Sequence, residues 1–125
     1  MGGGTGTDGN VPLSKPPYKV AYFPVEPFGS PDGLPSEHPA VELTTIDYDA
    51  DLDVLEQEKE VLDTLFEVCN LWEEAPSLGD STLLTYEKHY DSRSMSVGDM
   101  AAVENISTGK HSIYRCRSIG WTKIT

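Results

Sequence analysis

One long stretch of helical periodicity limits the folds that this chain can adopt. Between about Ala50 and Glu74, apolar residues recur at steps of three, four or seven, the spacing of one broad face of an α-helix. Asp53-Val54-Leu55-Glu56 resembles a capping box, and Ala75-Pro76 followed by Gly79 predicts a stop. An amphipathic helix needs a second layer over its apolar face. The stretch therefore predicts one long helix packed against a sheet.

Segments rich in β-branched and aromatic residues can supply that sheet. Tyr18 to Glu26 predicts a first strand, which Pro24 either places at an edge or ends early. Val41 to Tyr48 predicts a short second strand that leads into the helix. In the last third, Met100 to Glu104 and Ile113 to Ile124 alternate as two strands. They predict a C-terminal β-hairpin, with Gly120 allowing a bulge in the longer return strand.

The length of the chain sets the domain organisation. With 125 residues it can bury one modest core but not two. Residues 1–17 are glycine-rich and then proline-rich, which predicts a flexible arm or a leader. Residues 18–125 are predicted to form a single α+β domain, in which one long acidic helix packs on an antiparallel sheet that ends in the hairpin.

The negative charge is concentrated in one segment. The net charge is −12, and the segment from Glu37 to Asp80 holds 14 of the 21 acidic residues but only Lys59 among the nine basic ones. Such a field repels nucleic acids and anionic membranes and attracts basic surfaces. The acids can serve solubility alone, or they can form a surface for a basic partner.

The acids at the start of this segment also raise the possibility of a calcium site. An EF-hand loop takes acids at positions 1, 3, 5, 7 and 12, places that are filled here by Asp47, Asp49, Asp51, Asp53 and Glu58. The loop also needs glycine at position 6, where this chain has Leu52. Acids at a helix N-terminus are favoured by the helix dipole. The stretch therefore predicts the start of a helix, and calcium binding remains a secondary alternative.

The other chemistry-bearing residues indicate neither catalysis nor a cofactor. Cys69 and Cys116 lack a CxxC spacing, and they are expected to be reduced core residues of a cytosolic protein. The histidines His38, His89 and His111 lie in unrelated segments without a matching nucleophile. The chain has neither a run of about 18 apolar residues nor a signal peptide. We expect no enzyme activity, no metal, no cofactor, no direct nucleic-acid binding and no membrane contact.

The C-terminal third resembles a known family. The segment RSMSVGD from Arg93 to Asp99, followed by Tyr114-x-Cys116-x-Ser118-x-Gly120-Trp121 and Ile124, resembles the "hSLSVGDVV … YYCDSxGF" ending of the YodL-like domain family. In the helix, Leu65-Phe66-x-x-Cys69-Asn70 resembles the "LFExFN" segment of that family. The resemblance covers about half of the chain, and Ala101-Ala102 replaces the usual aliphatic pair. It implies a phage, plasmid or mobile-element protein, and it carries over no catalytic residue.

Three residues of this motif are predicted to be scaffold. Gly98 is expected to supply a backbone angle that a side chain opposes, and Asp99 to accept hydrogen bonds from turn amides. Trp121 is expected to fill the core beneath the helix. From the sequence alone, Asp99→Asn is expected to be mild, because an amide oxygen can still accept such bonds.

Together these features predict a binding protein of a phage or mobile element in the host cytosol. It would bind a basic surface of a host protein, as an anti-defence inhibitor or a nucleic-acid mimic does. The alternative class is a structural or assembly component of a phage particle. The predicted partner-binding residues are all acidic: Asp47, Asp49, Asp51, Asp53, Glu56, Glu60 and Asp63.

Overall fold

A computed structural model describes residues 15–26, 33–71, 83–92 and 94–125, which form one helix and eight strands. The helix is α1 (Val54–Leu71). The strands are β1 (Tyr18–Phe23), β2 (Val25–Glu26), β3 (Leu34–Pro35), β4 (Val41–Thr45), β5 (Leu83–Lys88), β6 (Met100–Asn105), β7 (Lys110–Cys116) and β8 (Trp121–Lys123). Six strands form an antiparallel sheet in the order β5-β4-β1-β6-β7-β8, and β2 pairs with β3. The fold is α+β, and it ends in an antiparallel strand pair.

The first strand lies in the middle of the sheet. Tyr18 pairs with Thr45 of β4 on one side and with Asn105 of β6 on the other. Of the two alternatives that Pro24 left open, an edge position or an early end, the early end is confirmed. Because Pro24 lies just beyond Phe23, it removes no donor from the paired part of the strand and permits the central position.

The helix begins at a capped end. The backbone amide of Glu56 donates to the Asp53 side chain at 2.9 Å, and the amide of Gln57 donates to the Asp53 carbonyl at 2.9 Å. The predicted cap is confirmed, and the helix begins at Val54 rather than near Ala50. The predicted stop at Ala75-Pro76 lies outside the described residues. No helix in the described parts of the chain is long and apolar enough to span a membrane.

The core lies between one face of α1 and one face of the sheet. The helix contacts β1, β4 and β6. Its most buried apolar residues are Val61, Leu62 and Leu65, and they share a cluster with side chains from these strands and from β7. Successive residues of a strand point to opposite faces, so half of each strand faces away from the helix.

Near its C-terminus the chain makes one more reversal than the sequence predicts. The predicted return strand is divided into β7 and β8, which pair from Cys116↔Trp121 onward. Gly120 has a φ of 72°, and the amide of Arg117 donates to the carbonyl of Gly120 at 3.1 Å. The glycine therefore closes a turn, and the predicted bulge is wrong because the left-handed backbone reverses the chain here.

Candidate functional site

Four acids form a line along the solvent side of α1. Glu56, Glu60, Asp63 and Glu67 follow one another at steps of four, three and four residues, so they share one side of the helix. That side is opposite the buried residues Val61, Leu62 and Leu65. Glu60 is half-buried, and the other three acids are exposed. We call these four residues the acidic stripe.

The loop before the helix lies against the middle of this stripe. The hydroxyl of Thr64 donates to the Asp47 carboxylate at 2.9 Å, and the amide of Asp49 donates to the Glu60 carboxylate at 2.7 Å. A shallow surface depression is lined by Asp47, Glu60, Asp63, Thr64 and Glu67. The fold thus brings loop acids and helix acids together on one surface.

The remaining predicted site residues lie at the N-terminal end of the helix. The amide of Asp51 donates to the Asp49 side chain at 2.9 Å, and Asp53 is the helix cap. All seven predicted residues are therefore on or beside the first three turns of α1, although only Asp47, Glu60 and Asp63 line the depression. Glu67 was missed, although its position four residues after Asp63 would have indicated it.

Little positive charge compensates the stripe. Among the described residues, the ion pair that involves it joins Lys59 to Glu56 at 3.9 Å. Such exposed pairs contribute about 0 to 1 kcal/mol. Asp63 also accepts a hydrogen bond from the indole nitrogen of Trp121 at 3.0 Å, which fixes that carboxylate relative to β8. The surface therefore keeps a strong negative field.

Glu58 is an acid that faces the core. Its side chain is 4% exposed, and it accepts hydrogen bonds from the Tyr114 hydroxyl at 2.5 Å and from the Ser112 hydroxyl at 3.5 Å. Burial raises the pKa of Tyr114, and the hydrogen bond to Glu58 and its charge raise it further. Because Glu58 points to β7, it does not face the acidic loop. The calcium hypothesis thereby lacks the glutamate that it needs at position 12.

Substitutions at Glu58 should show whether this side chain stabilises the core by accepting the Tyr114 hydroxyl. We expect Glu58→Ala to lower the free energy of unfolding by about 1 to 2 kcal/mol, because it leaves the buried Tyr114 hydroxyl without an acceptor. Glu58→Gln should stay within about 1 kcal/mol of the parent, because the amide oxygen can still accept that bond. Urea denaturation measures both. Equal losses for the two variants would contradict this role.

The thiols and imidazoles do not form a nucleophilic site in the described residues. Cys69 and Cys116 are free thiols, as predicted. Burial raises the pKa of Cys69 to about 12 and that of Cys116 to about 11, and the charge of Asp99 adds to both shifts. Both thiols therefore stay protonated at neutral pH and are poor nucleophiles. His89 and His111 lie near glutamates on the sheet.

Comparisons with protein-family models, with curated proteins and with solved structures find no match for this chain.

Proposed function

We propose that this protein is a stoichiometric binding protein, whose acidic stripe and the adjoining loop acids engage a basic surface of a partner protein. The observation that carries the proposal is the convergence of Asp47 and Asp49 with Glu60 of the stripe. Acids spread over the whole surface would serve solubility equally well. Acids collected on one side of one helix create a directed field, which speeds association with a cationic surface and orients it.

The density of charge supports a nucleic-acid mimic. From Glu56 to Glu67 the helix rises about 16 Å, since each residue adds about 1.5 Å. The four stripe acids, together with Asp47, whose carboxylate accepts the Thr64 hydroxyl, place five carboxylates along this length. A single nucleic-acid strand carries about five phosphates over the same distance, at about 3.4 Å each. A groove that binds a phosphate backbone is therefore a partner with matching charge.

The resemblance to the YodL-like family adds a biological setting to this proposal. On this resemblance we propose that the protein belongs to a phage or mobile element, and its two cysteines, which are free thiols, support a role in the cytosol of the host. An inhibitor of host defence that occupies the nucleic-acid groove of its target fits both the setting and the charge.

A charge-neutralising variant tests the stripe. We expect the triple variant Glu56→Gln, Glu60→Gln, Glu67→Gln to fold normally, because these side chains are at the surface and the glutamine at 60 can still accept the Asp49 amide. Its affinity for a labelled lysine- and arginine-rich peptide should fall about 5- to 150-fold at low salt, as expected for the loss of about 1 to 3 kcal/mol from three exposed pairs. The loss should shrink at high salt. Fluorescence anisotropy measures both affinities.

A second triple variant controls for total charge. Glu26, Glu87 and Glu104 lie on β2, β5 and β6, away from the stripe, and their change to glutamine alters the net charge by the same amount. This control variant should keep at least half of the parent affinity. If both triple variants lose affinity equally, the binding depends on net charge alone and the proposed surface is wrong.

A further inference from the structure

Two glutamates and a histidine converge on the sheet, away from the acidic stripe. Glu42 of β4 lies directly opposite Glu87 of β5, and His89 follows just after β5. Because side chains alternate along a strand, Glu87 and His89 share a face, and the neighbours of Glu42 on the other face, Val41 and Leu43, lie in the core. The three side chains therefore project from the face of the sheet opposite α1.

The ligand atoms of these residues already lie close together. One oxygen of Glu42, one of Glu87 and a ring nitrogen of His89 are all within 4.8 Å of one another. His89 Nε2 is 2.7 Å from Glu42 Oε1 and 3.8 Å from Glu87 Oε1. Tetrahedral ligands with bonds of about 2.0 to 2.2 Å are about 3.4 Å apart. Small rotations of these half-buried and exposed side chains would bring the three atoms to that separation.

The backbone holds the three residues in this register. The amide of His89 donates to the carbonyl of Ala40 at 2.8 Å, which continues the pairing of β4 and β5 beyond Lys88. Two like charges directly opposite each other in an antiparallel pair repel. A cation between Glu42 and Glu87 would turn this repulsion into attraction.

Lys19 of β1 supports Glu42 from the other side. Its ammonium group lies 3.3 Å from Glu42 Oε2, which leaves Oε1 directed at His89. A partner that orients the second oxygen of a ligating carboxylate is a common feature of metal sites.

We propose that Glu42, Glu87 and His89 bind a zinc ion. One imidazole nitrogen and two carboxylate oxygens form a ligand set suited to Zn²⁺, whereas Ca²⁺ and Mg²⁺ prefer oxygen ligands alone. With three protein ligands, a fourth position stays open to water or to a group from a partner. The ion would join the edge strand β5 to β4 through their side chains.

Isothermal calorimetry, in which zinc is titrated into the full chain, tests this site. The parent should bind one Zn²⁺. His89→Ala should weaken that binding by more than about tenfold, because the loss of a ligand should cost at least as much affinity as the loss of a residue that only supports a ligand. Glu87→Gln, a change that leaves the imidazole in place, should weaken it as well. Thermal melting without metal should show both variants folded, because both side chains are at the surface.

His111 offers a matched control. It lies opposite Glu104 on the same face of the sheet, with its Nε2 4.0 Å from that carboxylate, and the pair belongs to no three-residue ligand group in the described residues. His111→Ala should bind Zn²⁺ like the parent, and so should the triple glutamine variant of the acidic stripe. The proposal is wrong if the parent shows no saturable zinc binding, or if His111→Ala or the stripe variant loses as much affinity as His89→Ala.

Discussion

Trp121→Ala should lower the free energy of unfolding by about 3 to 5 kcal/mol, as is typical when a buried tryptophan is truncated. The indole is only 8% exposed and belongs to the main core cluster. Its ring lies edge-on to Phe66, with the centroids 6.5 Å apart, and its nitrogen donates to Asp63. Alanine would leave a cavity between β8 and α1 and would also remove the bond to Asp63. Urea denaturation measures the loss.

Trp121→Phe separates the contribution of ring packing from that of the hydrogen bond to Asp63. Phenylalanine keeps an aromatic ring in the cavity but cannot donate to Asp63, so its loss should be clearly smaller than that of alanine. A loss below about 1 kcal/mol for Trp121→Ala would contradict the core role, since truncation in a packed core costs more than that.

The bond from Trp121 to Asp63 links the core to the proposed binding surface. Asp63 belongs to the acidic stripe, and Trp121 lies on the last strand of the sheet. The position of that carboxylate is therefore fixed by the fold rather than by the helix alone. A surface whose charges are held in place loses less conformational entropy on binding than one with free side chains.

The fold was predictable from the sequence where a regular pattern met a clear boundary. The apolar periodicity of α1 and the cap at Asp53 gave the helix and its start. Gly98 has a φ of 97°, as its place in the turn predicted. The alternation of apolar and polar residues did not indicate β5, because its outward residues are mostly polar. Its pairing with β4 also depends on a partner that is distant in the sequence. Such edge strands are set by tertiary pairing rather than by local preference.

The candidate site was predictable only in part, for a similar reason. Charge density alone selected the segment that contains the acidic stripe, but it could not distinguish the buried Glu58 from the exposed Glu56 and the half-buried Glu60. Helical phase makes that distinction, because Glu58 shares the side of the helix with Leu62 and Leu65. The three residues of the proposed zinc site were not predictable as a group, since Glu42 is 45 or more residues away from Glu87 and His89 in the sequence. Only the pairing of β4 with β5 brings them together.

Asp99→Asn should lower the free energy of unfolding by about 2 to 3 kcal/mol, because it directs a side-chain N–H group at a buried backbone N–H group. Asp99 is 1% exposed. One of its carboxylate oxygens accepts the amide of Val25 at 3.0 Å, and the other accepts the amide of Ser96 at 2.8 Å and the hydroxyl of Tyr22 at 3.2 Å. The predicted role as acceptor of turn amides is thus confirmed and extends to the start of β2.

The mild effect expected from the sequence for Asp99→Asn does not follow from this geometry. An asparagine has one oxygen and one amino group, so either orientation directs an N–H group at the backbone amide of Val25 or of Ser96. Neither amide can reverse its polarity. Asp51→Asn is the matched control, because Asp51 is exposed and its change should stay within about 0.5 kcal/mol. Thermal and urea denaturation compares the stability of both variants, and the peptide-binding assay is applied to Asp99→Asn and the parent. If Asp99→Asn unfolds like the parent yet no longer binds, Asp99 is a working residue of the site and not part of the scaffold.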